Sequence, residues 1–154
     1  MRWLIAALLL VCCLTASGVA AAADDKGQST INSMVQVRVW SVHATNQNNE
    51  MDPRLGRLAK HLSSLKYKGF ELLRKDAASI SVKGAKKFDV AGDKSVRVTV
   101  LSQTESRARV RVQVISTKGN LLDTTVSIRR NGFFIVAGPR HKGGILVLPI
   151  FARY

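Results

Sequence analysis

A two-residue alternation of apolar and polar side chains runs through three segments of the chain, 95–102, 107–116 and 121–129. Successive side chains of a β-strand point to opposite faces of a sheet, so this alternation predicts strands with one buried and one solvated face. The connections between the three segments are short, and consecutive strands are therefore expected to pair antiparallel.

Shorter runs of the same kind are further strand candidates, at 34–42, 70–75, 79–83, 86–90, 133–136 and 145–151. Asn131-Gly132 precedes one of them, and Asn-Gly is the strongest short-range hairpin signal because both residues tolerate positive φ. Pro149 cannot donate a hydrogen bond to a ladder, so the last strand is predicted to lie at a sheet edge.

One helix is predicted over residues 53–67. Asp52 can cap its first amide groups, Pro53 suits its first position, and Gly69 lies where a left-handed residue commonly ends a helix. Leucines follow at helical spacing along one side. The other side is mostly basic, with Arg57, Lys60, His61, Ser64 and Lys68.

These elements predict a single α+β domain over residues 34–154. Its sheet is expected to be an antiparallel β-meander, or a small sandwich, with the one helix of the N-terminal half packed on it. The predicted core takes one phase of each strand and one side of the helix: Val35, Val37, Val39, Leu55, Leu58, Leu62, Leu65, Val98, Val110, Val112, Val126, Leu146, Leu148 and Ile150.

Residues 1–23 have the order of a secretory signal peptide, with a basic start, an apolar run over 4–14 and small residues before Asp24. The apolar run is shorter than the roughly 20 residues of a membrane-spanning helix. Cleavage after Ala23 would leave a polar, flexible arm over 24–33 and no transmembrane helix in the mature chain. Because Arg2 is the one charged residue removed, the formal net charge would fall from +14 to +13.

The signal segment also contains both cysteines, Cys12 and Cys13. The mature domain would therefore have no disulfide and no thiolate ligand, and would depend on apolar packing for its stability. An exported domain without cysteine fits the periplasm or cell envelope of a Gram-negative bacterium.

Basic residues recur in the solvated phase of the three long strands. If these strands are adjacent, five arginines share one sheet face: Arg97, Arg107, Arg109, Arg111 and Arg129. Such a face can be a solvated surface whose long side chains cover the sheet. It can also bind a polyanion, such as an anionic envelope component, a membrane surface or an acidic protein. Nucleic acid is disfavoured, because platforms for single strands normally add stacking aromatics and only Trp40 could serve here.

The segment 136–144 joins two apolar strands and is predicted to be a loop. It contributes Arg140 and Lys142 as further candidate anion-binding residues, together with free amide groups. It lacks the spacing of a phosphate-binding P-loop. A simple turn rich in glycine and proline is the alternative interpretation.

No catalytic residue, metal site or cofactor is predicted. The three histidines, His43, His61 and His141, do not have metal-ligand spacing, and no Gly-x-Ser-x-Gly nucleophile motif is present. The carboxylates are scattered along the chain. The sequence therefore favours a protein that is not an enzyme.

Several short motifs together resemble small exported proteins of Gram-negative bacteria that have no assigned function. These are Asp52-Pro53-Arg54-Leu55, Phe70-Glu71-Leu72-Leu73, Val136-Ala137-Gly138-Pro139 and the glycine-led apolar run 143–148. The resemblance covers about residues 34–154. It implies an exported protein of a Gram-negative bacterium, and it identifies no catalytic or binding residue.

The sequence thus predicts an exported, non-enzymatic binding or envelope-assembly accessory protein with a basic sheet face for an anionic partner. One alternative is a small outer-membrane β-barrel, since apolar residues alternate up to the terminal Tyr154. A hydrolase with a site that no motif marks is the other alternative.

Overall fold

A computed structural model describes residues 33–154. The predicted signal peptide, and the predicted arm apart from Ser33, lie outside the described residues. Within the described range the chain forms eight strands: β1 (Met34–Thr45), β2 (Gly69–Ser81), β3 (Ala85–Val90), β4 (Lys94–Gln103), β5 (Arg107–Ser116), β6 (Gly119–Arg129), β7 (Gly132–His141) and β8 (Gly144–Arg153). A 3-10 helix (Pro53–Leu58) and a single-turn helix α1 (Ala59–Leu62) lie between β1 and β2.

The strands form two antiparallel sheets of four. The first sheet has the order β2-β1-β8-β7, and the second has the order β3-β4-β5-β6. The antiparallel pairing matches the prediction, but strands account for most of the described residues, and the fold is richer in β-structure than the predicted α+β domain. Between Ser33 and Tyr154 no helical segment has the length and apolar character to cross a bilayer.

The main core lies between the two sheets. The buried phase of each central strand supplies it, and in β5 buried and exposed residues alternate from Arg107 to Val112. The predicted strand contributions from β1, β4, β5, β6 and β8 are all buried here: Val35, Val37, Val39, Val98, Val110, Val112, Val126, Leu146, Leu148 and Ile150. Phe88, Val96 and Ile128 join the same cluster.

A second apolar cluster lies on the outer face of the first sheet, beneath the helical segment. Leu55, Leu58 and Leu62 are buried there against residues of β1, β2 and β8, which include Val42 and Val147. The helix is much shorter than the predicted 53–67. Gly56 breaks it with a non-helical backbone (φ 39°, ψ −108°), and the last α-helical residue is Leu62. The predicted cap at Asp52 is confirmed, because its side chain accepts a hydrogen bond from the Arg54 amide.

The prediction that the last strand lies at a sheet edge is wrong. β8 is central, with β1 on one side and β7 on the other. Pro149 is tolerated because the pairing of β1 with β8 is interrupted at Trp40 and Ser41, opposite Pro149 and Leu148. Where the pairing of β1 with β8 is interrupted, residue 149 does not have to donate a backbone hydrogen bond, so a proline fits there.

The predicted hairpin at Asn131-Gly132 is also wrong. Asn131 has the expected positive φ of 55°, yet the turn carries the chain from the edge of the second sheet (β6) to the edge of the first (β7). A left-handed residue produces a sharp reversal, but it does not determine which strand the returning chain pairs with.

The predicted closing loop at 136–144 is mostly strand. β7 continues to His141 and pairs with β8, and the turn between them is Lys142-Gly143, with φ values of 42° and 76°. Two consecutive residues with positive φ are the signature of the tight hairpin turn that suits the twist of two antiparallel strands.

Candidate anion-binding face

The outer face of the second sheet is strongly basic. It collects the predicted Arg97, Arg107, Arg109, Arg111 and Arg129 on three adjacent strands, since β4, β5 and β6 pair in that order. Lys87 on β3 lies directly opposite Arg97. We call this set of six residues the arginine face. Lys87 was missed by sequence reasoning, although its position between Lys86 and Phe88 in an alternating segment could have indicated it.

Two cross-strand pairs on the arginine face bring like charges together. Lys87 is opposite Arg97, and Arg107 is opposite Arg129. Directly opposite residues of an antiparallel pair have Cβ atoms about 4.5–5.5 Å apart, and like charges at that spacing are destabilising. These two pairs therefore lower the stability of the second sheet.

The second sheet places one acid, Asp123, against one member of the arginine face, Arg111. The Arg111 guanidinium donates to both carboxylate oxygens of Asp123, with 2.8 Å between Nε and Oδ1, and Gln113 donates to Asp123 at 3.1 Å. The hydrogen bond from Arg111 holds the pKa of the Asp123 carboxyl below its ordinary value. Within residues 33–154, Arg97, Arg107, Arg109 and Arg129 form no salt bridge.

No aromatic ring occupies the outer face of the second sheet in the described part of the chain. The aromatic cluster lies on the outer face of the first sheet, where Trp40 and Phe151 have ring centroids 4.9 Å apart and Phe133 is 5.5 Å from Phe151. Lys75 lies 4.1 Å above the Trp40 ring. Trp40 therefore cannot supply stacking to the arginine face.

Arg140 and Lys142 do not belong to the arginine face. Arg140 is an exposed residue near the end of β7, and Lys142 lies in the turn between β7 and β8, so both are part of the first sheet's hairpin. The structure thus separates the predicted binding residues into a five-arginine group and a distant pair.

Two of the three histidines meet at one end of the sandwich. The rings of His43 and His141 are 5.4 Å apart and nearly perpendicular, and His43 Nε2 lies 3.1 Å from the His141 carbonyl oxygen. Burial lowers the pKa of His141 below its ordinary 6.5, and electrostatic interactions with His43, Lys94 and Lys142 lower it further. His61 instead packs edge-on against Phe133.

A cleft of about 780 Å³ beside His43 contains Thr45, Asp52 and Glu71, so a histidine, a hydroxyl and acids share one surface. Their hydrogen bonds are structural. The Thr45 hydroxyl accepts from the Gln47 amide, and the Asp52 carboxylate accepts from Arg54 and from the Leu72 amide. The Arg54 side chain holds the pKa of Asp52 far below its usual range. Among the described residues no hydrogen bond joins His43 to a carboxylate.

We expect acid to destabilise the protein through His141. Unfolded His141 takes up a proton near pH 6.5, whereas the folded residue does so at lower pH, so the unfolded state binds more protons in between. The free energy of unfolding should fall as the pH is lowered from about 7 to about 5. Denaturant unfolding at the two pH values measures this. His141→Gln should reduce the dependence, and an unchanged dependence would contradict the assignment.

No group of three or more histidine, cysteine or acidic residues within 33–154 could hold a metal ion. Known proteins add no constraint, since no family model, curated protein or solved structure matches the chain. The fold and the face together define a class, an antiparallel two-sheet sandwich with one helix-covered sheet and one basic sheet.

Proposed function

We propose that this chain is an exported, non-enzymatic binding protein whose arginine face holds an anionic partner of the cell envelope. The partner chemistry is an array of oxyanion groups, phosphate or sulfate, carried on a lipid surface or a glycan. Planar guanidinium groups suit such oxyanions, because they can donate two parallel hydrogen bonds to one group.

The observation that carries the proposal is the cross-strand pair Arg107 and Arg129, which places like charges in register, with no acid of residues 33–154 in a salt bridge to either. A face that served only to keep the protein soluble would gain stability from mixed charges at these positions. A bound anion would offset this repulsion, and the charge arrangement therefore supports a ligand at this face.

The spread of positive charge over the face favours a surface-borne partner. Arg107, Arg109 and Arg111 repeat along one strand at roughly 6.8 Å, twice the rise per residue of an antiparallel strand. Arg97 and Lys87 extend the positive charge across the neighbouring strands. Cations spread over four strands suit an extended array of anions better than a single small ligand in a pocket.

Binding to heparin and to vesicles of phosphatidylglycerol and phosphatidylcholine tests the proposal, with vesicles of phosphatidylcholine alone as the control. With about five cations free to act, affinity should fall on the order of a hundredfold or more between about 50 and 200 mM salt. Preference for one probe distinguishes a glycan from a lipid partner. Failure to bind either probe at low salt would end the proposal.

A further inference from the structure

β7 is an edge strand of the first sheet, with β8 on one side and no strand paired on the other among the described residues. Its stretch from Gly132 to Pro139 contains no charged residue. Phe134 within it is 42% exposed, which makes it one of the most exposed large apolar side chains of the described chain. Unpaired backbone groups next to exposed apolar side chains favour the addition of another strand.

The other three edge strands are protected in the ordinary way. Each carries charged side chains that discourage pairing with another chain. β3 is short, and β2 and β6 have pairing irregularities at Leu73 and Leu121. The charged residues concerned are Glu71, Arg74, Lys75 and Asp76 on β2, Lys86, Lys87 and Asp89 on β3, and Asp123 and Arg129 on β6. β7 has a pairing irregularity at Gly138 and Pro139 and carries Arg140 near its end, so the part of this edge without such protection is residues 132–137.

Basic residues flank the uncharged stretch at both ends. Arg130 precedes it, and Arg140 and Lys142 follow it, all three exposed. Arg130 donates to the backbone oxygen of Tyr154, and within residues 33–154 none of the three forms a salt bridge. An extended segment added along β7 would run for roughly 27 Å between these two basic ends, at about 3.4 Å per residue.

This charge pattern disfavours a second copy of the chain as the occupant. Antiparallel pairing of β7 with itself would bring Arg130 of one copy close to Arg140 of the other, and two chains of net charge +14 repel each other. A segment with apolar residues at its centre could pack against the exposed apolar side chains of β7. Acidic residues at both ends of the segment could pair with the basic residues that flank β7.

We propose that the free edge of β7 binds an extended, acidic-ended segment of a partner polypeptide by β-strand addition. Backbone hydrogen bonds to β7 provide the pairing, the side chains near Phe134 contact the apolar centre of the segment, and the basic residues at the two ends bind its acids. This role is independent of the arginine face, and it accounts for Arg140 and Lys142, which the face leaves out.

A labelled peptide, acetyl-Asp-Asp-Val-Thr-Val-Thr-Val-Asp-Asp-amide, tests the proposal by fluorescence anisotropy with the purified protein. The peptide should bind, and the version with lysine in place of each aspartate should bind at least about tenfold more weakly. A strand directs every second amide to one side, so two peptides are N-methylated on alternate residues in the two phases. One of them should lose binding while the other keeps it, and equal affinity of the two peptides would overturn strand addition.

Protein variants place the peptide on the molecule. Phe134→Asp should weaken binding at least about tenfold, because a charge enters the apolar edge. Leu121→Asp is the matched control: Leu121 is 45% exposed and lies on edge strand β6. Circular dichroism and the unfolding midpoint check that both variants fold.

Arg107→Glu/Arg109→Glu separates the two proposals, because it should weaken heparin binding by on the order of a hundredfold and leave peptide binding within about twofold. Peptide binding that survives Phe134→Asp, or is lost in the arginine-face variant alone, would overturn the assignment to β7. A dimer that Phe134→Asp dissolves would also overturn it, since the edge would then belong to a second copy.

Discussion

Arg109→Glu/Arg129→Glu is expected to weaken binding to heparin or anionic vesicles by on the order of a hundredfold or more, with no loss of stability. Each basic side chain near an anionic surface contributes about 1 kcal/mol, and this variant changes the charge of the face by four. Arg129→Glu also turns the repulsive pair with Arg107 into an attractive one, worth roughly 0.2–1 kcal/mol relative to a neutral pair.

The matched control is Arg38→Glu/Arg153→Glu, which changes the net charge equally on the outer face of the first sheet, where both arginines are exposed. It should keep most of the affinity. Equal loss in the two variants would mean that net charge alone attracts the anion. A fall in the unfolding midpoint of Arg109→Glu/Arg129→Glu would show instead that the arginines stabilise the sheet.

Leu148→Ala is expected to have the largest effect on stability, a loss of about 2–5 kcal/mol in the free energy of unfolding. Leu148 is fully buried in the main core, on central strand β8, where strands on both sides limit how far the structure can close around a cavity. Denaturant unfolding with a fixed slope measures the change.

Leu121→Ala provides the same change of side chain at an exposed position of β6, where a change within about 0.5 kcal/mol is expected. If the two variants lost the same stability, Leu148 would not be part of a well-packed core. Loss of heparin binding by folded Leu148→Ala would show that the arginine face depends on the packing beneath β8.

Much of the arginine face followed from the sequence. The alternation placed Arg107, Arg109 and Arg111 on one side of a strand and their valine neighbours on the other, and the pairing of β4, β5 and β6 is as predicted. Lys87 was missed because the segment 86–90 is short, and two adjacent lysines obscure its phase. The charge relief that Asp123 gives Arg111 also required the register of the two strands.

Two of the failed predictions concerned which strands pair with each other, and a third concerned the length of the helix. Asn131 indicated a turn correctly and a hairpin wrongly, and Pro149 indicated an edge although the strand is central. Gly56 interrupts a helix that the leucine spacing extends without a break. In each case the local signal describes the conformation of a few residues, whereas the outcome depends on packing from distant parts of the chain.

The sequence by itself determined the faces: which side chains of each strand point inward and which point to solvent. This information is local, because a strand alternates its side chains regardless of what it pairs with. The tertiary structure decided which strands lie at the edges of the two sheets. Backbone hydrogen bonds are nearly identical for every residue, so only the assembled sheets determine that β8 is enclosed, that β7 remains free, and that Arg140 lies apart from the arginine face.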